Sequence, residues 1–229
     1  MIVTLLIAIV LIQGNVGKAV EGDCNNSRTA KCYENYYPEE MRDVRIYPSK
    51  ELLDRSCPSL LKMASCFQDY VDECVDKSNE FYKTFDVKFI REMCDKQSLL
   101  RNNFLQNVDC YQSMISQFDE CVNQSAYAYR DYIDTVGYEN VEDEQYHRSC
   151  LQPIYALACE LSEIKSTCGY KASKAFFEVE KLWDSVAFTK YSCSRIDFEK
   201  EVKSGFFTKL EIPESRRRLF VEVVQYFSY

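Results

Sequence analysis

The sequence predicts an all-α protein, a helical bundle stabilised by disulfides, and three observations support this prediction. Apolar residues recur at intervals of three and four along most of the chain, which is the period of amphipathic helices. Few stretches alternate apolar and polar residues for long enough to form strands. Twelve cysteines, an even number, fall into two groups of six with similar spacing. We therefore expect two related six-cysteine halves, followed by a C-terminal amphipathic helix.

The stretch CLQPIYALACELSEIKSTC, residues 150–168, is expected to organise the second half. Its three cysteines stand nine residues apart, and nine residues turn a helix by roughly 180°. Cys150 and Cys168 are thus expected to face one way and Cys159 the other, so that this helix is bridged to neighbours on opposite sides. An earlier stretch repeats the plan with Cys57, Cys66 and Cys74.

The N-terminal residues predict a signal peptide. Residues 1–17 carry no charged side chain, and the apolar run 2–12 is shorter than the roughly 20 residues that a membrane-spanning helix needs. Gly17 and Ala19 both suit the position before a signal-peptidase cut. We expect residues 1–19 to contain the signal peptide, no transmembrane segment to follow, and the mature chain to be secreted and extracellular.

The two halves match in the number and order of their cysteines. Gaps of 8, 25, 9, 8 and 20 residues in the first half correspond to 11, 29, 9, 9 and 25 in the second. This similarity suggests duplication of a unit with three disulfides, in residues 20–100 and 101–200, before a tail helix in 201–229. Pairing within each half is the simplest consequence, but six cysteines allow 15 arrangements and the sequence leaves them open. The predicted disulfide cysteines are Cys24, Cys32, Cys57, Cys66, Cys74 and Cys94 in the first half, and Cys110, Cys121, Cys150, Cys159, Cys168 and Cys193 in the second.

Composition excludes several classes of function. The formal charge of −8 repels phosphate backbones, and no basic stripe with interleaved aromatics offsets it, so a nucleic-acid partner is not expected. No CxxC pair is present, which removes the minimal signature of a thioredoxin-type redox site or a zinc knuckle. We expect no cofactor and no metal.

Helix start and stop signals place the elements in order. Ser49 is expected to cap a helix from Lys50, and Pro58 lies where a first helical turn would tolerate it. Gly137 is expected to end a helix that the acidic stretch 139–145 separates from the organising helix. Ser173 is expected to open the next helix. The other helices are predicted at about 80–94, 99–108, 110–136 and 213–229.

A family resemblance is clearest in CYQSMISQFDECVNQSAYAY, residues 110–129, and in the C-x8-C-x8-C triplet followed by the distant Cys193. In these features the chain resembles the 27 kDa hemolymph glycoprotein family of insects, over roughly Cys24 to Cys193. The resemblance implies secretion into body fluid, a helical fold and N-glycosylation. The family has no established biochemical activity, so the resemblance supplies no catalytic residues. The 36 residues after Cys193 lie beyond its pattern.

Candidate sites are few. Asn25 and Asn123 head Asn-x-Ser sequons and are candidate glycosylation sites. His147, the only histidine, is expected to be an exposed polar residue on a helix entry. Catalysis through it is not expected, because Arg148 follows it where a secreted phospholipase A2 has aspartate, and no G-x-S-x-G elbow is present. An EF-hand loop from Asp72 would need glycine at position six, where Lys77 stands. A solvated helix face is the expected role of Asp69, Asp72, Asp76 and Glu80.

The aromatic residues and the tail each allow two interpretations. The 17 Tyr, 14 Phe and Trp183 are expected to form mainly core, with an apolar ligand cavity as the alternative.

In the tail, Arg216, Arg217 and Arg218 lie in the first helical turns, where the helix dipole disfavours cations. Docking of the tail's apolar stripe onto the core is expected, with contact to a partner or a membrane surface as the alternative. The stripe is Leu219, Phe220, Val223, Val224 and Phe227.

The sequence thus predicts a secreted, non-enzymatic extracellular glycoprotein of hemolymph type, a binding or carrier protein with room for an apolar ligand. The alternative is a venom or salivary effector, or an immune-type interaction protein, that acts through its surface. A hydrolase with a scattered site is a third and weaker hypothesis.

Overall fold

The computed structural model describes residues 24, 26–41, 47–74, 87–136, 141–182, 184–203, 206 and 217–228. Within these ranges the chain has eleven α-helices, one 3-10 turn and no strand, which confirms the all-α prediction. The helices are α1 (Asn26–Tyr36), α2 (Lys50–Cys74), α3 (Lys88–Cys94), α4 (Leu99–Leu105), α5 (Val108–Ser113), α6 (Ile115–Val136), α7 (Val141–Thr167), α8 (Tyr170–Glu180), α9 (Asp184–Ser194), α10 (Phe198–Lys203) and α11 (Arg217–Phe227).

The chain divides into two compact units, Met1–Val108 and Asp109–Tyr229. The sequence placed the division after residue 100, but α4 belongs to the first unit because its Arg101 bonds to Asp54 of α2. Helix α11 belongs to the second unit, where it packs on α7 and α9. The predicted signal peptide, residues 1–19, lies outside the described residues.

The first unit is built on α2, which packs against α1 on one side and α3 on another. The Ser49 hydroxyl accepts a hydrogen bond from the Leu52 amide at 3.2 Å, so the predicted cap at the start of α2 is confirmed. The inward side chains of α2 include Leu53, Leu60 and Met63, all of them buried.

Pro58 lies in the ninth position of α2, so its predicted place in a first turn is wrong. A proline inside a helix removes one backbone hydrogen bond and costs about 3 kcal/mol. Pro58 is exposed, whereas the inner face of α2 buries several apolar side chains that each contribute about 1.5–3 kcal/mol. Packing therefore outweighs the cost of the proline. Pro153 is exposed within α7 in the same way.

The second unit is built on α7, which contacts α6, α8, α9 and α11. Leu151, Ile154, Leu161 and Ile164 are fully buried along it. The expectation that residues 139–145 only separate two helices is wrong, because α7 already begins at Val141. Carboxylates in a first turn interact favourably with the helix dipole, which explains why an acidic run starts this helix.

Gly169 separates α7 from α8 with a φ of 89°, a conformation that glycine adopts without strain. Helix α8 begins directly after it at Tyr170, so Ser173 lies inside the helix and does not open it. The buried Ser173 hydroxyl donates to the Leu161 carbonyl at 2.9 Å, which ties α8 to α7.

All twelve cysteines form disulfides, and every pair closes within its own unit. In each unit the first cysteine pairs with the fifth, the second with the fourth, and the third with the sixth. Because six cysteines allow 15 pairings, agreement by chance has odds of about 1 in 15. Duplication of one three-disulfide unit explains the agreement directly. The pairs are Cys24–Cys74, Cys32–Cys66 and Cys57–Cys94 in the first unit, and Cys110–Cys168, Cys121–Cys159 and Cys150–Cys193 in the second.

The three cysteines of residues 150–168 form disulfides with cysteines of three different helices. Cys159 is bridged to α6, whereas Cys150 is bridged to α9. Cys168, one residue beyond the end of α7, is bridged to α5. The sulfurs therefore fix α7 to a neighbour at its start, its middle and its end.

The predicted docking of the tail helix is confirmed for the part that the structure describes. Leu219, Val223, Val224 and Phe227 are buried where α11 packs on α7 and α9. Of the three tail arginines, Arg216 lies outside the described residues, and for Arg217 and Arg218 only the helical backbone is described. No helix in the described ranges has the length and apolar character that crossing a bilayer requires.

Candidate functional site

A groove of about 440 Å³ runs between α1 and α2 in the first unit. The Cys32–Cys66 disulfide joins these two helices beside it and so fixes their spacing. The groove is open to solvent and is not an enclosed cavity. Its lining consists of Arg28, Tyr36, Leu61, Lys62, Ser65, Cys66 and Asp69.

The groove combines apolar surface with charge. Tyr36 and Leu61, 36% and 39% exposed, belong to the large apolar side chains that the fold leaves uncovered. Lys62 and Asp69 place opposite charges in the lining. Typical ligand sites have volumes of roughly 300–1,000 Å³ but enclose most of the ligand, whereas this groove is open on one side. Apolar and charged side chains thus lie side by side along this open surface.

Arg28 is held at the end of the groove by a carboxylate. Its Nη1 lies 2.6 Å from Glu73 Oε2 and 3.6 Å from the sulfur of Cys74. The hydrogen bond and the charge of Arg28 lower the pKa of Glu73 below its usual value. Both groups are therefore charged at neutral pH and form an ion pair at the surface.

Aromatic stripes in the second unit form core, as the sequence predicts. Tyr111 packs edge-on against Phe176 at 5.3 Å, and its hydroxyl donates to the Ala172 carbonyl at 2.8 Å. Phe206 packs against Tyr129 and Tyr155 at 6.1 and 5.7 Å. These rings are buried, so each fills space in the interior. Trp183 lies outside the described residues.

His147 is half-buried on α7, so the expectation of an exposed histidine is wrong. Burial lowers its pKa, Glu201 and Asp143 oppose that change, and Lys200 adds to it. Glu201, on α10, is itself buried and accepts a hydrogen bond from the Tyr132 hydroxyl. The structure thus brings the histidine near a carboxylate that lies 54 residues further along the chain.

Sequence reasoning missed Glu201, although one signal was present. Phe198 and Glu201 are three residues apart in the short helix α10, so the two side chains lie on one face. The buried Phe198 marks that face as the inner one. A carboxylate on such a face needs a partner, and the Tyr132 hydroxyl is one.

The acidic residues suggested for calcium are only partly described. Asp69 lines the groove, and Asp72 accepts a hydrogen bond from Gln68 at 3.2 Å. Asp76 and Glu80 lie outside the described residues. In the part of the chain that the structure describes, no three carboxylate, histidine or cysteine side chains are grouped to hold a metal ion.

Of the two sequons, the structure describes the one at Asn123. Asn25 lies outside the described residues. Asn123 is exposed in the middle of α6, but Ser125, the hydroxyl residue of the same sequon, is only 3% exposed. The Ser125 hydroxyl donates to the Val122 carbonyl at 2.8 Å. The sequon therefore occupies a folded helix and not the surface loop that is typical of such sites.

Fold and sites together define a disulfide-bonded, all-α protein of two units with one shared pairing pattern. Because every cysteine is bridged, none is available as a thiolate nucleophile. No protein-family model, no curated protein and no solved structure matches this chain. The resemblance to insect hemolymph glycoproteins stays a prediction.

Proposed function

We propose that this chain is a secreted, non-enzymatic extracellular glycoprotein of hemolymph type that acts by binding. The observation that supports secretion most strongly is the closure of all twelve cysteines into six disulfides, with one pairing order in both units. Such bridges form and persist in oxidising compartments, which the secretory route provides. A reducing cytosol would leave the same units without their covalent links.

The groove between α1 and α2 is the proposed binding site. The buried aromatic side chains of the second unit, among them Tyr111 and Phe176, pack against one another in its core, which favours a surface groove over an internal cavity as the place for a ligand. Tyr36 and Leu61 would contact the apolar part of the ligand, and Lys62 would attract an acidic group. We therefore propose a carrier of small amphipathic acids as the first form of the function.

A surface-acting effector or immune-type interaction protein is the second candidate. Tyr127 is 59% exposed on α6, with the guanidinium of Arg130 5.0 Å from its ring centre, and Tyr170 is exposed at the start of α8. Exposed tyrosine and arginine are enriched in protein interfaces and their hot spots. This candidate places the contact on the second unit.

Secretion is tested by expressing the full chain in eukaryotic cells and analysing the medium. We expect an N-terminus that follows Gly17 or Ala19, no titratable thiol, and a loss of mass on treatment with an endoglycosidase. Retention in the cytosol with reactive thiols would reject the proposal.

Binding is tested with 8-anilinonaphthalene-1-sulfonate, an aromatic anion whose fluorescence rises in apolar sites. We expect the double change Tyr36→Ser with Leu61→Ser to abolish saturable binding to the folded protein. Leu99→Ser removes a more exposed leucine outside the groove and serves as the matched control. Equal binding by both variants would reject the groove. In that case, loss of partner capture in the Tyr127→Ala and Tyr170→Ala double variant would support the second candidate.

A further inference from the structure

We propose that Asn123 accepts its glycan only before α6 folds and before the Cys121–Cys159 disulfide closes, so that the bridge ends modification at this site. The inference rests on the proposed function as a secreted glycoprotein. It adds an order of events, and it makes occupancy of Asn123 depend on the rate of one disulfide.

Transfer requires two side chains of the sequon at once. The amide nitrogen of Asn123 forms a bond to the anomeric carbon of a lipid-linked oligosaccharide, and the bond from that carbon to the pyrophosphate oxygen breaks. The amide loses one proton and the lipid pyrophosphate leaves. The sequon rule also demands a hydroxyl two residues later, so the transferring enzyme must contact Ser125 together with Asn123.

An extended chain presents both groups on one side, because residues i and i+2 of a strand share a face. A helix places them about 200° apart, since each residue turns it by about 100°. In α6 this separation is realised: Asn123 faces solvent while the Ser125 side chain is buried and bonded to the Val122 carbonyl. The folded sequon cannot offer both groups to one active site.

The disulfide holds the sequon in that folded state. Cys121, two residues before Asn123, is buried and bridged to Cys159 in the middle of α7. Gln124, within the sequon, lies with Oε1 3.9 Å from the Cys159 sulfur. Unwinding residues 123–125 would require α6 to move away from α7, and the bridge opposes this movement covalently. Closing it transfers two electrons and two protons from the two thiols to a disulfide-bonded oxidant, which leaves as a dithiol.

The finished fold still has room for a glycan that was added earlier. Asn123 is exposed, and Tyr127, one helical turn further along, presents an exposed ring beside it. Modification before folding is therefore compatible with the folded structure, whereas modification after folding is not.

The test uses the full chain with Asn25→Gln, so that only Asn123 can be modified. Unglycosylated protein is prepared from secreting cells in which synthesis of the lipid-linked donor is blocked, and it is then incubated with solubilised oligosaccharyltransferase and donor. Occupancy is measured as a mass shift that peptide N-glycosidase reverses. We compare the disulfide-bonded chain, the Cys121→Ser and Cys159→Ser double variant, and the Cys150→Ser and Cys193→Ser double variant, which lacks a different bridge to α7.

We expect the variant without the Cys121–Cys159 bridge to be modified about tenfold or more above the disulfide-bonded chain, because its α6 can open locally. If the disulfide-bonded chain were glycosylated as fully as the variant without the Cys121–Cys159 bridge, the proposed order would be overturned. Equal modification of the two double variants would overturn the specific role of this bridge. A reduced and alkylated chain that also stays unmodified would reject glycosylation of Asn123 itself, and with it that part of the proposed function.

Pulse labelling in cells gives a measurement that does not depend on the folding of a variant. Newly made chains are alkylated at successive times and separated by glycan and by the state of Cys121. We expect the glycan to appear while Cys121 still reacts, and chains that close the bridge first to leave the cell without a glycan. Glycan addition to chains that already contain the bridge would overturn the proposal.

Discussion

Arg101 donates a hydrogen bond from Nη2 to Asp54 Oδ1 over 2.5 Å, and only 2% of Arg101 is exposed. Its other terminal nitrogen donates to the Met93 carbonyl at 2.7 Å. Burial acts to raise the pKa of Asp54, but the hydrogen bonds from Arg101 and Lys50 and the nearby positive charges lower it below its usual value. One guanidinium thus joins α4 to α2 and α3.

We expect Arg101→Met to reduce the free energy of unfolding by about 2–4 kcal/mol. Arg101 is buried, and the change removes its charge-assisted hydrogen bonds to the Met93 carbonyl and to Asp54, which contribute about 1.5–3 kcal/mol each at most. Urea unfolding followed by circular dichroism measures the loss. Arg91→Met changes an exposed arginine on α3 and is the control. A loss of equal size in both variants would contradict a special role for Arg101.

Removal of the Cys150–Cys193 disulfide by a double change to alanine should cost about 4 kcal/mol. This value is the loop-closure entropy that a bridge across 43 residues removes from the unfolded chain at 25 °C. The urea midpoint of the double variant, compared with that of the oxidised parent, provides the measurement. A loss below about 1 kcal/mol would show that entropy of the unfolded chain is not the main source of stability here.

Two valines of α11 differ in burial and offer a matched pair. Val223 is fully buried, whereas Val221 is 47% exposed. We expect Val223→Asp to destabilise the protein by about 3 kcal/mol or more, because it buries a carboxylate, and Val221→Asp to change stability by less than about 0.5 kcal/mol. Thermal unfolding of both variants tests this, and similar melting temperatures would show that α11 does not dock in solution.

Protonation of His147 should weaken the fold in mild acid. Burial lowers its pKa in the folded state below the value of about 6.5 that unfolded chains show, so the unfolded state binds the proton more readily. Its contribution to stability is therefore complete above pH 6.5 and is lost as the pH falls from 6.5 towards the lowered pKa.

Urea unfolding between pH 5 and pH 8 measures this dependence, with His147→Gln as the comparison. The parent should lose up to about 1.4 kcal/mol per pH unit more than the variant within the window. If the free energy of unfolding changed with pH in the same way in both proteins, His147 would not be the source of the pH dependence.

Glu160 on α7 gives a pH dependence of the opposite sign. Burial, with a smaller contribution from the negative charge of Glu180, raises its pKa well above the usual value. The folded state therefore favours the protonated carboxyl, and stability decreases as the pH rises above the unfolded value of about 4.3. We expect Glu160→Gln to raise the melting temperature at pH 7 by a few degrees, since about 1 kcal/mol corresponds to about 2–4 °C in a chain of this size.

Calorimetry at pH 7 and at pH 4 distinguishes this effect from a gain in packing. The advantage of Glu160→Gln should shrink at pH 4, where the parent carboxyl is already protonated in the fold. Glu163→Gln, at a neighbouring position of the same helix, provides the control. A constant advantage at both pH values would contradict the electrostatic explanation.

Local patterns predicted most of the helices, because helical periodicity is a property of a single segment, but α1 and α10 were not predicted. The Ser49 cap and the inner stripe of α11 followed directly from residue order. The errors at Pro58 and at the start of α7 have one cause. A proline or a run of charges is a local signal for the end of a helix, whereas here tertiary packing extends the helix through it.

Sites that join distant segments could not be predicted in this way. Arg101 meets Asp54 across 47 residues, and His147 approaches Glu201 across 54. Nothing in either local sequence encodes the partner. Such contacts depend on which faces of two helices meet, and this is decided by the packing of the whole unit.

The sequence alone determined that the chain is helical, that its sulfurs form two groups of six, and that it suits an oxidising compartment. Cysteine spacing, hydrophobic periodicity and composition follow from residue order and do not depend on which segments meet in three dimensions. Only the tertiary structure decided that each group pairs first with fifth, second with fourth and third with sixth. A disulfide requires two sulfurs at bonding distance, and that distance exists only after helices far apart in the chain have packed side by side.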